Sequence, residues 1–459
     1  MTTSLANALI TAGMTPVEAA RKSTLFDRCE ASLDKTAAAP ASQSIRHYVP
    51  GRVEFLGKHT DYAGGRSLLC TVERGICLVA RPRTDAQINI AALDLDATAS
   101  FTLSPELEAT RGDWSNYPMT VARRLARNFP PTQKIENQKS KIKNSTLLGA
   151  DIALASDLPP AAGLSSSSAF IIAVFLALRD VNNLTEHPAY QQNIRSIEDL
   201  SGYLGCNENG QTFGSLPGDK GVGTFGGSQD HTAILCCKPN HLSQYAFCPV
   251  RYEATVPWPK NTVLAIGVSG IIAEKTGAAM ELYNSASKRT RAIVDTWNNS
   301  TGRSDPTVAA ALASSQNVPH DLRRILANHP LRLTDRLDQF QTESETIIPG
   351  SVQAIREGGG KNLTKLGELI DLSQKNAEKL LLNQVPETIA LCRIAREEGA
   401  HAASAFGAGF GGAVWALIDE SKSEPFLVTW ANRYHQQFPS HSHHSNFLLT
   451  RPGPAAQKL

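Results

Sequence analysis

Residues 158–181, LPPAAGLSSSSAFIIAVFLALRDV, constrain the fold more than any other stretch. Four serines, Ser165 to Ser168, stand at the head of an apolar run of roughly 13 residues, a length that favours a buried helix over a strand. The first turn of such a helix offers unpaired N–H groups and the positive end of the helix dipole. Gly163, Leu164, Ser165, Ser166, Ser167 and Ser168 therefore read as a cradle for phosphate, with hydroxyls available to Mg2+. A serine N-cap accounts for one serine and not for four in succession. The stretch has no GxxxxGK[ST] pattern, so it is not a Walker A loop.

Around that helix the pattern is mixed. Residues 4–36 have helical periodicity, with Leu25, Phe26, Cys29 and Leu33 on one face. RHYVPGRVEFLG reads as a strand, SLLCTVERGICLVARPR as paired strands, and INIAAL and ASFTLS continue the sheet. Two prolines and a composition shift near VRYEATVPWPKN mark a boundary, after which TVLAIGVSG starts a new strand and long helices dominate from Glu274. The reading is an α+β chain in two parts, 1–255 and 256–459.

Composition excludes several classes of function. The chain has 459 residues, 41% of them hydrophobic, enough for two or three domains with a large core. Lys and Arg total 45 against 43 Asp and Glu, so a net charge of +2 supplies no field for nucleic acid or a membrane surface. Residues 130–146 carry Lys134, Lys139, Lys141 and Lys143 without interleaved aromatics, as a solvated loop does. The eight cysteines lack C-x-x-C spacing and read as free thiols of a reducing cytoplasm. No leader pattern opens the chain, and no run approaches the ~18 apolar residues of a membrane span. A cytoplasmic enzyme acting on small molecules is the expectation; oligomeric state is not readable.

Three further stretches carry chemistry. GRVEFLGKHTDY, residues 51–62, crowds Lys58, His59, Asp61 and Tyr62 onto a turn after an apolar run. GVGTFGGSQDHTAILCC, residues 221–237, places Asp230 and His231 at the entry to an apolar run, where Asp230 could equally cap a helix. ASAFGAGFGGAVWALI, residues 403–418, formally fits GxGxxG through Gly407, Gly409 and Gly412, but a strand rather than a helix follows, against a dinucleotide site. HSHHSNF, residues 441–447, has no Cys or carboxylate cluster beside it and reads as solvated surface.

Taken together, PGRVEFLGKHTDYAGG, LPPAAGLSSSSA, GGSQDH and GAGFGG, in this order, resemble the GHMP small-molecule kinases, and the first motif resembles the galactokinases in particular. ELYNSASKRTR, residues 281–291, resembles their tyrosine-containing helix. The resemblance implies a two-domain α+β fold, a ribosomal-protein-S5-like N-terminal domain plus an α+β C-terminal domain, with the active site between them. It implies an ATP-dependent kinase acting on the anomeric hydroxyl of galactose or a similar sugar. ATP phosphates would sit on Gly163 to Ser168, with Gly409 and Gly411 closing the cleft, and Ser167 and Glu208 would meet Mg2+. Asp230 and Arg52 would be catalytic; His59, Asp61 and Tyr283 would grip the sugar.

The chain also departs from the family. Ala161 and Ala162 stand where galactokinases usually carry glycines, and the glycine-rich segment before Asp230 is long, as a lid or specificity loop would be. Lys58 replaces the glutamate that in galactokinases hydrogen-bonds a hydroxyl at the far end of the hexose. An ammonium donates and never accepts, and it attracts anions. Two readings of Lys58 follow: it meets the carboxylate of a hexuronic acid such as galacturonate, or it turns outward or pairs with Glu54 or Asp61 while galactose remains the substrate. A non-catalytic sugar sensor on the same scaffold is a further alternative, disfavoured because Arg52, Asp230 and the serines are all present.

Overall fold

The structure, a computed structural model, describes residues 2–109, 112–131, 147–159, 162–271, 277–358 and 363–459. The lysine-bearing segment, Ala161 and Glu274 fall outside them. The N-terminal helical pattern is two helices, α1 (Thr2–Thr11) and α2 (Pro16–Thr36), because Gly13 at φ 103° breaks it. β1 (Ile45–Leu56) runs antiparallel to β2 (Arg66–Pro82), which is one 17-residue strand rather than the expected pair. The polar interruption in its middle is absorbed by a register shift opposite Pro50 to Arg52.

β3 (Gln87–Ala92), β4 (Ala97–Thr102) and β5 (Ala150–Ser156) extend this sheet, and β6 (His241–Ala246) and β7 (Arg251–Pro257) join it through β2. Its helices are α3 (Asn116–Asn128), α4 (Ser166–Val181), α5 (Pro188–Asn193), α6 (Ile197–Asn209) and α7 (Gln229–Cys236). Every residue of α4 from Ser168 to Leu178 is buried, and the helix packs on β1, β2 and α3 in the main core. An all-apolar helix has no other stable place.

The second sheet begins at β8 (Thr262–Val268), with β9 (Ala402–Ala405), β10 (Ala413–Asp419) and β11 (Asn446–Thr450) in the order β11-β8-β10-β9. Trp430 and Tyr434, on the helix Ser423–Gln437, are fully buried against it. α8 (Gly277–Thr301) and the helix Leu333–Thr342 belong to a separate apolar cluster that also takes in Ala63. At the chain's end β12 (Gln457–Lys458) returns to the first sheet and pairs with β1, so the division near residue 256 is crossed once more by the last residues. The two sheets meet where Phe55 stacks on Trp415, with centroids 4.1 Å apart and planes 15° apart.

Candidate active site

The site forms where the end of β1, the start of α4 and the start of α7 converge. Arg52 projects from β1 and donates to Asp230 Oδ1 through Nε at 2.8 Å and Nη2 at 2.7 Å. Its Nη1 donates to the Gly163 carbonyl at 2.5 Å, and its backbone N–H to the Leu164 carbonyl at 3.1 Å. The guanidinium thus fixes both the carboxylate and the loop leading into α4. Asp230 lies in the first turn of α7, where the helix dipole favours negative charge.

The four serines divide between two cavities because a helix turns about 100° per residue. Ser165, in a left-handed conformation at φ 58°, donates to Asp230 Oδ2 at 2.6 Å. One turn on, Ser168 Oγ lies 2.8 Å from Glu208 Oε2 and 3.3 Å from Asp230 Oδ2, bridging two carboxylates. Ser165, Ser166 and Ser167 all line a neighbouring cavity of about 440 Å3, and Ser168 alone of the four lines the chamber with Glu208. Ser167 and Glu208, read from the sequence as one metal pair, therefore stand on different sides, and Ser168 is the serine beside Glu208. Leu164 is buried and lines neither cavity, while Ala162 avoids the left-handed region.

The smaller, polar chamber is lined by Arg52, Asp230, His59, Asp61, Tyr283 and Glu208, among others. His59 sits at φ 56°, an uncommon conformation for a residue with a side chain. It is held there because Arg336 Nη2 donates to the His59 carbonyl at 2.5 Å and Gln339 Nε2 to the Lys58 carbonyl at 3.2 Å. Its Nε2 lies 2.9 Å from the Ala408 carbonyl, which only accepts, so Nε2 carries the proton and Nδ1 accepts from Tyr62 Oη at 2.7 Å. Burial, reinforced by Arg336, pulls the imidazole down to about 4 against the opposing Ala408 contact, leaving it neutral at physiological pH. Both ring nitrogens are engaged, so His59 meets the chamber through its ring and packs on Tyr283 at 5.4 Å.

Asp61 Oδ2 accepts the Gln229 N–H at 3.1 Å, tying the turn after β1 to the residue before Asp230. Burial raises its pKa against that and the Tyr62 backbone bond, and it raises Tyr283 well above the usual tyrosine range.

Lys58 is the correction. It lines neither cavity, is 1% exposed, and donates to Ser404 Oγ at 2.7 Å and Ser373 Oγ at 3.0 Å. It neither turns outward nor pairs with Glu54 or Asp61: among the described residues, no carboxylate lies within ion-pair distance of its Nζ. The reason is the turn geometry, which aims residue 58 into the seam between the two sheets. There Glu343 Oε1 accepts the Gly57 N–H at 2.9 Å and the Ser373 hydroxyl at 3.0 Å.

The larger cavity joins the chamber at Arg52 and Ala408 and is walled by Trp114, Tyr117, Phe170 and Phe406, with Gly163, Gly409 and Gly411 on its border. Sequence reading missed this apolar wall. Its signal is the pair of aromatics in DWSNYP, just before and at the start of α3. The third glycine cluster is a turn between β9 and β10, as its strand ending indicates. The histidine stretch forms pairs only, His441 with Glu387 at 3.4 Å and His435 with Ser445 at 2.7 Å. No group of three His, Cys, Asp or Glu able to hold a metal occurs among the described residues. The long segment before Asp230 is pinned at Asp219, which accepts from Arg123 at 2.5 Å, and at Phe225, whose N–H donates to Asn284 at 2.9 Å.

Residues 41–82 match the galactokinase galactose-binding signature, 116–202 the GHMP kinases N terminal domain, and 351–436 the GHMP kinases C terminal family. The chain is 27% identical to a galactokinase of Roseiflexus sp. (strain RS-1) over 394 residues, covering 84% of this chain and 86% of that one. A galactokinase of Haemophilus influenzae (strain KW20) is 23% identical over 427 residues, covering 92% and 94%. The structure superposes on the Lactococcus lactis galactokinase complexed with galactose with a TM-score of 0.75 at 21% identity, over 95% of this chain and all of the other. Mevalonate kinase of Methanococcus jannaschii superposes at 0.54, with 15% identity over 90% of this chain and 99% of that one.

Proposed function

We propose that this chain, a GHMP kinase resembling the galactokinases, transfers the γ-phosphoryl group of ATP to the anomeric hydroxyl of galactose. The observation that carries the reading is the Arg52–Asp230 pair, standing where a polar chamber opens into a larger cavity fronted by the start of α4. The sugar would occupy the chamber and the nucleotide the larger cavity. The halves 1–255 and 256–459 would act as the N- and C-terminal kinase domains, apart from the returning strand β12.

Phosphoryl transfer proceeds through a loose transition state, so the protein's task is alignment and charge neutralisation. Asp230 accepts the proton of the anomeric hydroxyl as its oxygen bonds to the γ-phosphorus and the bond to the bridging oxygen breaks, releasing ADP. Arg52 holds Asp230 in its charged form and stabilises negative charge developing at the sugar oxygen. Ser166 and Ser167, with the backbone N–H groups of the first turn of α4, bind phosphate oxygens. Asp61 and Tyr283 supply hydrogen-bond partners to the sugar.

Glu208 Oε2 lies 2.8 Å from Ser168 Oγ and 3.2 Å from His231 Nε2, and the carboxylate with its neighbouring hydroxyl suits a hard cation that takes its remaining ligands from phosphates and water. Glu208 and Ser168 would hold Mg2+, with Ser167 on the phosphate side; the ion supplies neutralisation of phosphate charge. The hexuronic-acid alternative loses its anchor, since Lys58 Nζ is committed to Ser373 and Ser404 outside the chamber.

An ADP-release assay over neutral hexoses, uronic acids and sugar phosphates, with the product's phosphate position read by NMR, tests the proposal. Galactose 1-phosphate is the expected product. Turnover confined to acids or non-sugar alcohols would overturn it, and binding of ATP and galactose without turnover would favour the sensor.

A further inference from the structure

We propose that Glu54 selects the sugar: its side-chain carboxyl hydrogen-bonds a ring hydroxyl distant from the anomeric carbon. The inference rests on the sugar-kinase reading above. β1 and β2 stay in register from Arg52 opposite Thr71, through Val53 opposite Cys70, to Glu54 opposite Leu69. Arg52 and Glu54 therefore share one face of β1, about 7 Å apart along the strand, and both line the polar chamber. A hexose whose anomeric hydroxyl meets Asp230 and Arg52 spans that separation with its far side.

The carboxyl is free to take such a role. Glu54 is 3% exposed, and its Oε1 is buried without a hydrogen-bond partner among the described residues. The cations nearest in effect, Lys58 and Arg52, are engaged elsewhere: Lys58 with two serine hydroxyls, Arg52 with Asp230 and the Gly163 carbonyl. Buried polar groups in folded proteins are nearly always satisfied, so an unsatisfied oxygen on a side chain lining a binding chamber points to a ligand. Burial also pushes the group up to about 8, with Glu343 and Asp230 acting in the same direction against Lys58 and Arg52. At neutral pH it is a protonated carboxyl that both donates and accepts, as a sugar hydroxyl does. It thereby avoids adding another negative charge next to Asp230.

The test uses the full chain with Glu54→Leu, which keeps volume and removes hydrogen bonding, and Glu54→Gln, which keeps both donor and acceptor. Galactose is compared with its 2-, 3-, 4- and 6-deoxy analogues. The Leu variant should raise the KM for galactose at least tenfold with the KM for ATP within twofold. It should also become indifferent to removal of one distal hydroxyl whose loss penalises the wild type, and the Gln variant should restore that discrimination. A Leu variant with unchanged galactose KM, or with the wild-type penalty at every analogue, overturns the role of Glu54 while leaving the kinase reading intact. A wild type that phosphorylates no hexose overturns both.

Discussion

Arg52 and Lys58 stand six residues apart, and each is almost wholly buried, yet they do opposite things. Arg52 reaches into a cavity and finds a carboxylate, Asp230, brought from 178 residues away. Lys58 reaches the other way, into the seam, and among the described residues finds only hydroxyls, Ser373 and Ser404, from the second half of the chain. The ion pair leaves space in front of it and is placed to act on a ligand. The hydroxyl-bound ammonium leaves none and joins the two halves. A buried charge is thus evidence of chemistry only where the cavity on its far side is open, a distinction that residue type alone does not make.

Asp230→Asn breaks the comparison most sharply. It keeps the shape of the pair and removes the proton acceptor, so kcat should fall about 10³-fold while sugar and ATP still bind by calorimetry. Activity near wild type would remove the chamber from the reaction. Lys58→Glu should act on stability instead. It restores the residue usual in galactokinases but buries a carboxylate near Glu343 and Glu54, and a loss of about 3–4 kcal/mol is expected from urea unfolding. The ratio of kcat/KM for galactose over galacturonate should stay within a few-fold. A large swing towards galactose, with stability unchanged, would return Lys58 to the sugar.

These two residues also show what the sequence made legible. The strand ending in GRVEFLG, the apolar helix behind four serines and the strand after GAGFGG are local patterns, and each forms where its periodicity places it. The contact of Arg52 with Asp230 was legible only through motif order, since no local rule joins residues so distant. The direction of Lys58 was not legible at all: its partners, Ser373 and Ser404, lie more than 300 residues later, and its carbonyl is held by Gln339 on a helix of the second half. The split of Ser167 from Ser168 follows from helical rotation once the start of α4 is known, and that start rests on the conformation of Ser165. The return of β12 to β1 involves two residues with no pattern to mark them.

His59 sharpens the comparison through pH. It titrates near 6.5 when exposed and at about 4 in the fold, so the unfolded chain takes up its proton first as pH falls. Its contribution is complete above pH 6.5, declines between 6.5 and 4, and is constant below; the difference is about 3 kcal/mol. Asparagine tolerates the positive φ at this position. Melting temperatures of wild type and His59→Asn, measured from pH 7.5 to 4, should therefore converge as the pH drops, the wild type losing more. Parallel curves would mean that the ring is not held neutral.

The smallest effect probes the wall between Asp61 and Asp230. A Cβ at Gly227 would collide with Asp61 Oδ2 and lie 3.0 Å from the Tyr62 nitrogen, while one at the neighbouring Gly226 would lie 2.5 Å from Tyr283 Oη. These two glycines allow the segment before α7 to pass directly against side chains of the chamber. Gly227→Ala must push Asp61 aside, disturbing its bond to the Gln229 N–H, at a cost of about 1–2 kcal/mol. Because Asp61 lines the chamber proposed for the sugar and not the larger cavity, the KM for galactose should rise about tenfold, in line with ~1.4 kcal/mol, with the KM for ATP unchanged. Equal rises in both would mean that the substitution distorts α7 and the Arg52–Asp230 pair, in which case the chamber and the nucleotide cavity respond as one unit rather than two.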